Sequence, residues 1–359
     1  SFLLIENLWY CAALSSEVES GLLRRIICNE AIVFYRDSSG GPVALEDRCS
    51  HRHAPLSKGS IHGDNVQCNY HGLMFDRTGM CVHIPHQKKI PPRAHIRAHR
   101  VEEKWGYVWV WRGRSEDADP DLIPDLNWNV DPKRSPVYAY FYVKANFQLV
   151  ADNLLDVSHA DYLHAKSFGS RSGSMDGPKP GDYEFDSWVK GEKVYSVRKL
   201  KNVEVGDLAK KWGGFTKKLD RTNEQMWEAP NTVHIRLELA NEENQISVHH
   251  DNIMTPETET TTHFFFNFPR DFGVDGHGYP TDEDIYNELY TVISTEDMPM
   301  LEAQQENIEL YGNTVDMPVE ADRLLNGVHR RLTRMYKERG IAVPGPLARS
   351  ERRNTSDDA

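Results

Sequence analysis

The sequence predicts an α+β chain in two parts: an all-β first third, then a larger part in which strands and helices occupy separate stretches. Three observations carry this expectation. Short β-branched and aromatic runs punctuated by turn clusters fill residues 1–112. A polar stretch with two prolines interrupts the pattern at 113–125. Beyond it, apolar residues recur at helical spacing in some segments and at strand-like spacing in others.

In the first part, AIVFY at 31–35, VQC at 66–68 and YVWVW at 107–111 are the strand candidates, set apart by the turn clusters DSSGG at 37–41 and DRTG at 76–79. The opening SFLLIENLWYCAAL is apolar, but no basic region precedes it and Glu6 and Asn7 break it. It reads as a first strand rather than a signal peptide. The stretch GRSEDADPDLIPD at 113–125 divides a first domain, 1–118, from a second, 119–345. In the second, YAYFYV at 138–143 is strand-like, and from Asn146 onward Phe147, Val150, Ala151, Leu154, Leu155 and Val157 fall at helical spacing. Residues 169–181 hold four glycines, three serines and two prolines, which predicts a mobile loop. Residues 183–270 read as several strands, among them 233–239 and 261–266. Residues 282–338 return to a helical pattern: Thr281 with Asp284 forms a capping signal, and Pro299 suits the first turn of a second helix. The tail, 346–359, is charged and expected to be disordered.

Composition narrows the function. Of 359 residues, 39% are hydrophobic and 27% charged, as in globular proteins, and the formal net charge is −12. That balance argues against nucleic-acid binding, which needs a basic face. No run approaches the ~20 apolar residues of a membrane span. Five cysteines (Cys11, Cys28, Cys49, Cys68 and Cys81) without a secretion signal predict reduced thiols in the cytoplasm, some serving a metal.

The strongest chemical signal is Cys49-Ser50-His51, sixteen residues, then Cys68-Asn69-Tyr70-His71. Such a set could hold zinc, yet zinc fingers group cysteines with cysteines and histidines with histidines. Here each half carries one of each. That suits a [2Fe–2S] cluster with unlike irons, Cys49 and Cys68 on one, His51 and His71 on the other. Pro55, Gly59, Gly63, Gly72 and Gly79 would let backbone fold closely around it. His53, His62, His83 and His86 read as surface or packing histidines, and Cys81 as a small buried hydrophobe.

A second constellation runs from Asn153 to His164, NLLDVSHADYLH. Two imidazoles and a carboxylate in a facial arrangement bind an oxygen-activating Fe(2+). His159 and His164 are the imidazoles. Spaced five apart, they would diverge by about 140° on a regular helix, so the helix must end or widen between them. The carboxylate is expected from far downstream: Asp297, where one predicted helix gives way to the next, with Glu296 as the alternative.

The segments DRCSHRHAPLS at 47–57 and QCNYHGLMFD at 67–76 resemble the Rieske motif of bacterial aromatic-ring oxygenases. The pattern Asn-x2-Asp-x2-His-x4-His resembles the mononuclear iron site of the same family. NLWY at 7–10, CVHIPH at 81–86 and TPETE at 255–259 are similar to the dicamba and vanillate O-demethylase branch. The resemblance implies a small Rieske β-domain followed by a catalytic domain whose antiparallel sheet is covered by helices, helix-grip-like, with iron in a funnel. It implies His159, His164 and Asp297 as iron ligands. It implies Asp156 as the link to His71 of a neighbouring subunit in a homotrimer, and Asn153 as a residue just outside the ligand set. Electrons would come from NADH or NADPH through a separate reductase, a ferredoxin, or both. One atom of O2 would enter an aromatic, acidic substrate and the other leave as water; at an O-methyl group the product would break to a phenol and formaldehyde. Asn231, Asn252 and Tyr286 fall near segments that line substrate in this branch, Asn252 standing where a histidine is expected. Arg236 could pair a carboxylate or sulfonate. Dioxygenation and N-demethylation are the alternatives within the family. Outside it stand a Rieske electron carrier and a zinc-stabilised binding protein.

Overall fold

A computed structural model describes residues 4–165, 167, 183–276, 278–312 and 316–356. The segment 169–181, read as a mobile loop, lies outside the described residues. The chain divides into two compact units, residues 1–124 with 255–258, and residues 125–254 with 259–359.

The first unit is built from three small antiparallel sheets. One orders β1 (Leu8–Leu14), β11 (Tyr107–Arg112) and β10 (Val101–Lys104). Another orders β2 (Leu23–Ile27), β3 (Glu30–Arg36), β4 (Pro42–Glu46) and β9 (Ala98–His99). The third orders β5 (Ser60–His62), β6 (Asn65–Gln67), β7 (Met74–Phe75) and β8 (Cys81–His83). Of the apolar opening segment, Leu8–Leu14 form a strand, β1, and the 107–111 run is fully buried in β11. Val33, Tyr35, Leu45, Leu56, Val66 and Phe75 form a core that also takes in Cys49, Cys68 and Cys81. Cys81 is thus the buried small hydrophobe expected of it.

The second unit centres on a seven-stranded sheet ordered β12 (Tyr138–Val143), β18 (Thr262–Asn267), β17 (Gln245–Pro256), β16 (Thr232–Ala240), β15 (Leu219–Glu228), β14 (Lys193–Val203) and β13 (Tyr183–Lys190). Consecutive strands from β13 to β17 pair antiparallel, as do β12 and β18. Helices α1 (Phe147–Leu155), α3 (Asp282–Val292), α4 (Met298–Tyr311) and α5 (Arg323–Glu338) pack against this sheet, and a short α2 (Asp207–Gly213) follows β14. This is the expected sheet covered by helices. The capping box at α3 forms as read from Thr281 and Asp284.

The tail departs from expectation. Gly345–Ser356 form α6 instead of a structureless end. Leu347 is buried at 0% exposure and Arg349 at 4%, and α6 contacts α5 and α1. A charged composition hid one apolar anchor and an arginine whose stem is covered while its Nε lies 3.5 Å from Asp316. Among the described residues, no helix is long and apolar enough to cross a membrane.

Candidate metal centres

Two loops of the first unit carry the Cys/His pairs, and they share one backbone frame. In the first, Cys49 N–H donates to the Ala54 carbonyl at 2.9 Å, and His53 N–H donates to the Cys49 carbonyl at 2.9 Å. In the second, Cys68 N–H donates to Leu73 at 2.8 Å, and Gly72 N–H to Cys68 at 2.9 Å. The fifth residue of each, His53 or Gly72, takes a left-handed φ of 62° or 77°. The first loop is pinned from below by Asp47, whose buried carboxylate accepts Ser57 N–H, Ser57 Oγ and Arg24 Nη1, each at 2.7 Å. The result is two thiols inside and two imidazoles outside. Cys49 and Cys68 are 2% and 1% exposed, while His51 and His71 are exposed, their ring centroids 4.6 Å apart. Burial, with Cys68 alongside, pushes the Cys49 thiol up to about 11 against the backbone N–H groups of His51 and Arg52. Paired buried sulfurs met by backbone donors fit a group that takes thiolates on one side and imidazoles on the other. His53, His62, His83 and His86 are exposed, apart from this set.

The second constellation lies in the second unit and is made by two irregularities. Helix α1 stops at Leu155 because Asp156 turns to extended geometry (φ −102°, ψ 91°) and its carboxylate accepts Ser158 N–H at 2.9 Å, starting a tight 3₁₀ turn over Val157–Asp161. Helix α1 thus ends before both histidines rather than between them, and it is the 3₁₀ turn holding His159 that closes before His164. Downstream, α3 runs into α4 through a π turn at Ile293–Asp297, where Met298 N–H reaches back to the Ile293 carbonyl. Pro299 follows; it has no N–H for Thr295 and its ring crowds that carbonyl. The wider turn swings Asp297 inward. Asp297 sits inside a continuous helical run from α3 to α4.

His159 Nε2 stands 3.7 Å and His164 Nε2 3.2 Å from Asp297 Oδ1, and one donor atom from each of the three lies within 4.8 Å of the others. One metal ion can touch all three. The rings are held from behind: His159 Nδ1 donates to the Asp156 carbonyl and His164 Nδ1 to Glu296 Oε2, each at 2.5 Å. Both Nε2 atoms are thereby left for the metal side. Glu296, the alternative ligand, instead orients His164, and Ser167 Oγ donates to the same carboxylate at 2.9 Å. Burial pushes the His164 pKa down, but Asp297 and Glu296 outweigh it and hold it above the usual value. Asn153 Nδ2 donates to Asp297 Oδ1 at 3.3 Å. Two imidazoles and a carboxylate fit a non-haem Fe(2+).

The comparisons match this division. Residues 8–95 match the Rieske [2Fe-2S] domain, and residues 143–338 match the vanillate O-demethylase oxygenase C-terminal domain. The chain belongs to the Rieske non-haem iron oxygenases. Among relatives of this oxygenase component, a toluene-4-sulfonate monooxygenase system iron-sulfur subunit of Comamonas testosteroni is 35% identical over 95% of this chain and 99% of its own. The dicamba O-demethylase oxygenase component of Stenotrophomonas maltophilia is 34% identical over 76% of this chain and 80% of its own. A crystal structure of dicamba monooxygenase bound to 3,6-dichlorosalicylic acid superposes with a TM-score of 0.86 at 29% identity, covering 94% of this chain and 99% of the other.

The triad opens on a cavity of about 150 Å³, a volume in which an apolar pocket accepts a benzene-sized ring. Its walls are largely apolar, including Phe264, Phe266, Phe268, Ile235, Leu237 and Leu289. Of the residues proposed for substrate, Asn252 lines it. Asn231 does not: it ties a hairpin to α1, accepting Trp227 Nε1 at 2.8 Å and donating to the Phe147 carbonyl at 3.3 Å. Tyr286 is 38% exposed and stacks on Tyr290, because the inward face of α3 is Ile285, Leu289 and Val292. Arg236 points away too. It lies between cavity-lining Ile235 and Leu237 on β16, so alternation turns it to the far face, where it meets Glu224 and Glu238. Among the described residues, the cation in the cavity lining is Arg221 on β15, with Asn223 and His250 as further polar lining. Sequence reasoning missed these three. The available signal was polar residues two apart, Arg221/Asn223 on β15 and His250/Asn252 on a β17 face otherwise apolar.

Proposed function

We propose that this oxygenase component hydroxylates or O-demethylates an aromatic substrate bearing an acidic group, in the cytoplasm, with electrons drawn from NADH or NADPH through a separate reductase or ferredoxin. The observation that carries the reading is the ring-sized cavity with the His159/His164/Asp297 triad on one side and, among the described residues, one guanidinium, Arg221, elsewhere in its lining. The phenylalanines would stack the ring and exclude water, and Arg221 would take the acid. Bound Fe(2+) and the [2Fe–2S] cluster supply the redox chemistry that activates O2. The chain's own part is to hold the two imidazoles by Asp156 and Glu296 and to aim Asp297 with Asn153.

Cys49, His51, Cys68 and His71 are the proposed cluster ligands. Asp156 is the proposed electron bridge: one carboxylate oxygen caps the 3₁₀ turn, and the other would accept the ring N–H of His71 of a neighbouring subunit. Such a link makes the active unit a closed ring, proposed as a homotrimer. Oxygen uptake with a reductase and a panel of methoxylated, N-methylated and sulfonated aromatics tests the function. Uptake with formaldehyde release from a methoxylated acid is expected; no uptake across the panel overturns it.

A further inference from the structure

Among the described residues that line the cavity, Asn252 is the one whose side chain keeps an unmet hydrogen-bonding need. It sits on β17 at 0% exposure and lines the cavity. Its Nδ2 faces the Val233 carbonyl at 3.2 Å, His250 Nδ1 at 3.2 Å and the His250 carbonyl at 3.4 Å. Both amide hydrogens are spent within the sheet, and these acceptors fix which end of the amide is nitrogen. The other end, Oδ1, is buried and has no hydrogen-bond partner. A buried acceptor without a donor is a standing cost, and in a cavity wall it marks where a ligand donor fits.

His250 adds the complement. It lies two residues away on the same face of β17 and lines the same cavity. Its Nδ1 faces an amide nitrogen, which only donates, so the ring proton sits on Nε2. Burial, with Arg221 adding to it, pushes the His250 pKa down to about 4 against Asp251, so the ring is neutral. The wall therefore offers an acceptor beside a neutral donor. A carboxylate or sulfonate carries acceptors only, and against Asn252 it would set lone pair to lone pair. The guanidinium that suits an anion is on β15, where Arg221 Nε donates to Asn223 Oδ1 at 3.1 Å.

We propose that Asn252 selects substrates bearing a hydroxyl or N–H on the aromatic ring, which donates to Oδ1, while the acidic group lies on the Arg221 side. This rests on the aromatic-substrate reading above and narrows it to hydroxy- or amino-aromatic acids. The test is anaerobic calorimetric binding to the iron-loaded protein. The probes are meta-methoxybenzoates carrying a para hydroxyl, amino, methoxy or hydrogen, with the matching benzenesulfonates and the isomers in which the donor is moved round the ring. In at least one series the hydroxyl or amino member should bind about tenfold or more tighter than its methoxy and hydrogen counterparts. The hydroxyl and amino arms separate O–H from N–H. Asn252→Leu, apolar and of similar size, should erase the preference while still binding the donorless members. Equal binding of donorless members, or a preference that survives Asn252→Leu, overturns the proposal; if that variant does not fold, the comparison on the unaltered protein decides alone. Binding without preference defeats only this inference. Failure of every aromatic to bind defeats the substrate reading and this inference with it.

Discussion

The two metal constellations are built by opposite means. The cluster residues all fall within residues 49–71, on two loops that repeat one hydrogen-bond frame. The triad joins a histidine pair on a broken helix to an aspartate far down the chain on a π turn. The first is local: each loop closes on itself, and its ligands stand or fall with a few neighbours. The second depends on residues outside the proposed ligand set, among them the Asp156 cap, Glu296 and Pro299. Remote substitutions should therefore spare the cluster and disturb the mononuclear site.

The largest effect separates the two outright. Cys68→Ser should abolish the cluster's visible absorption and its share of bound iron, while the mononuclear iron and the far-ultraviolet signature of the second unit persist. Loss of all iron in that variant would break the comparison, since the sites would then not be independently built. Pro299→Ala probes the other side. It returns an N–H to the helix and removes the ring that crowds Thr295, so the π turn can anneal to a regular helix and carry Asp297 out of position. Fe(2+) affinity should fall about 10–100-fold with the cluster spectrum unchanged. Unaltered iron affinity would show that the π turn does not need the proline.

This contrast also sets what the sequence could reveal. The cluster motif was legible because its proposed ligands are close in sequence and of a rare type. The His159/His164 spacing excluded a regular helix through both residues; the helix breaks further upstream, at Asp156, leaving His159 in a 3₁₀ turn that closes before His164. Asp297 could be put ahead of Glu296 only by its place between two predicted helices, because a one-residue choice depends on the turn between them, and a π turn has no strong composition signal. The cavity lining was least legible. Asn231 and Arg236 are polar residues on or beside lining strands, yet one is spent on a hairpin and the other faces outward. Choosing between Arg221 and Arg236 needed the strand register, which the alternation fixes only once one inward residue is known.

A third prediction concerns stability. His234 on β16 lies between Asp251 Oδ1 at 2.7 Å and Glu228 Oε1 at 2.8 Å. Burial lowers its pKa, but the two carboxylates outweigh burial and raise it to about 9. A raised folded-state value contributes stability fully present below the unfolded value of about 6.5 and lost as pH climbs through the folded one. The second unit should therefore lose on the order of 3 kcal/mol between about pH 6.5 and 9. Denaturant midpoints against pH should show the slope, and His234→Gln should flatten it. The cluster's bleaching temperature, reporting the first unit, should not follow that slope; if it does, the two regions unfold as one.

The smallest effect lies inside the cluster unit, between its two matched loops. Position five is His53 in one and Gly72 in the other, both at left-handed φ. A histidine there is strained, whereas glycine is not, but glycine gives more freedom to the unfolded chain. For His53→Gly these terms oppose, and the net change should stay within about 0.5 kcal/mol. For Gly72→Ala the same two terms oppose with their signs reversed, and packing tips the balance. The new Cβ keeps the left-handed strain and would lie 2.8 Å from Pro85 Cγ, so it should cost about 1–2 kcal/mol. Thermal bleaching of the cluster reads both. Equal costs would mean that backbone conformation alone governs the position; an excess at Gly72 would mean that the second loop is also constrained by the packing of Pro85 upon it.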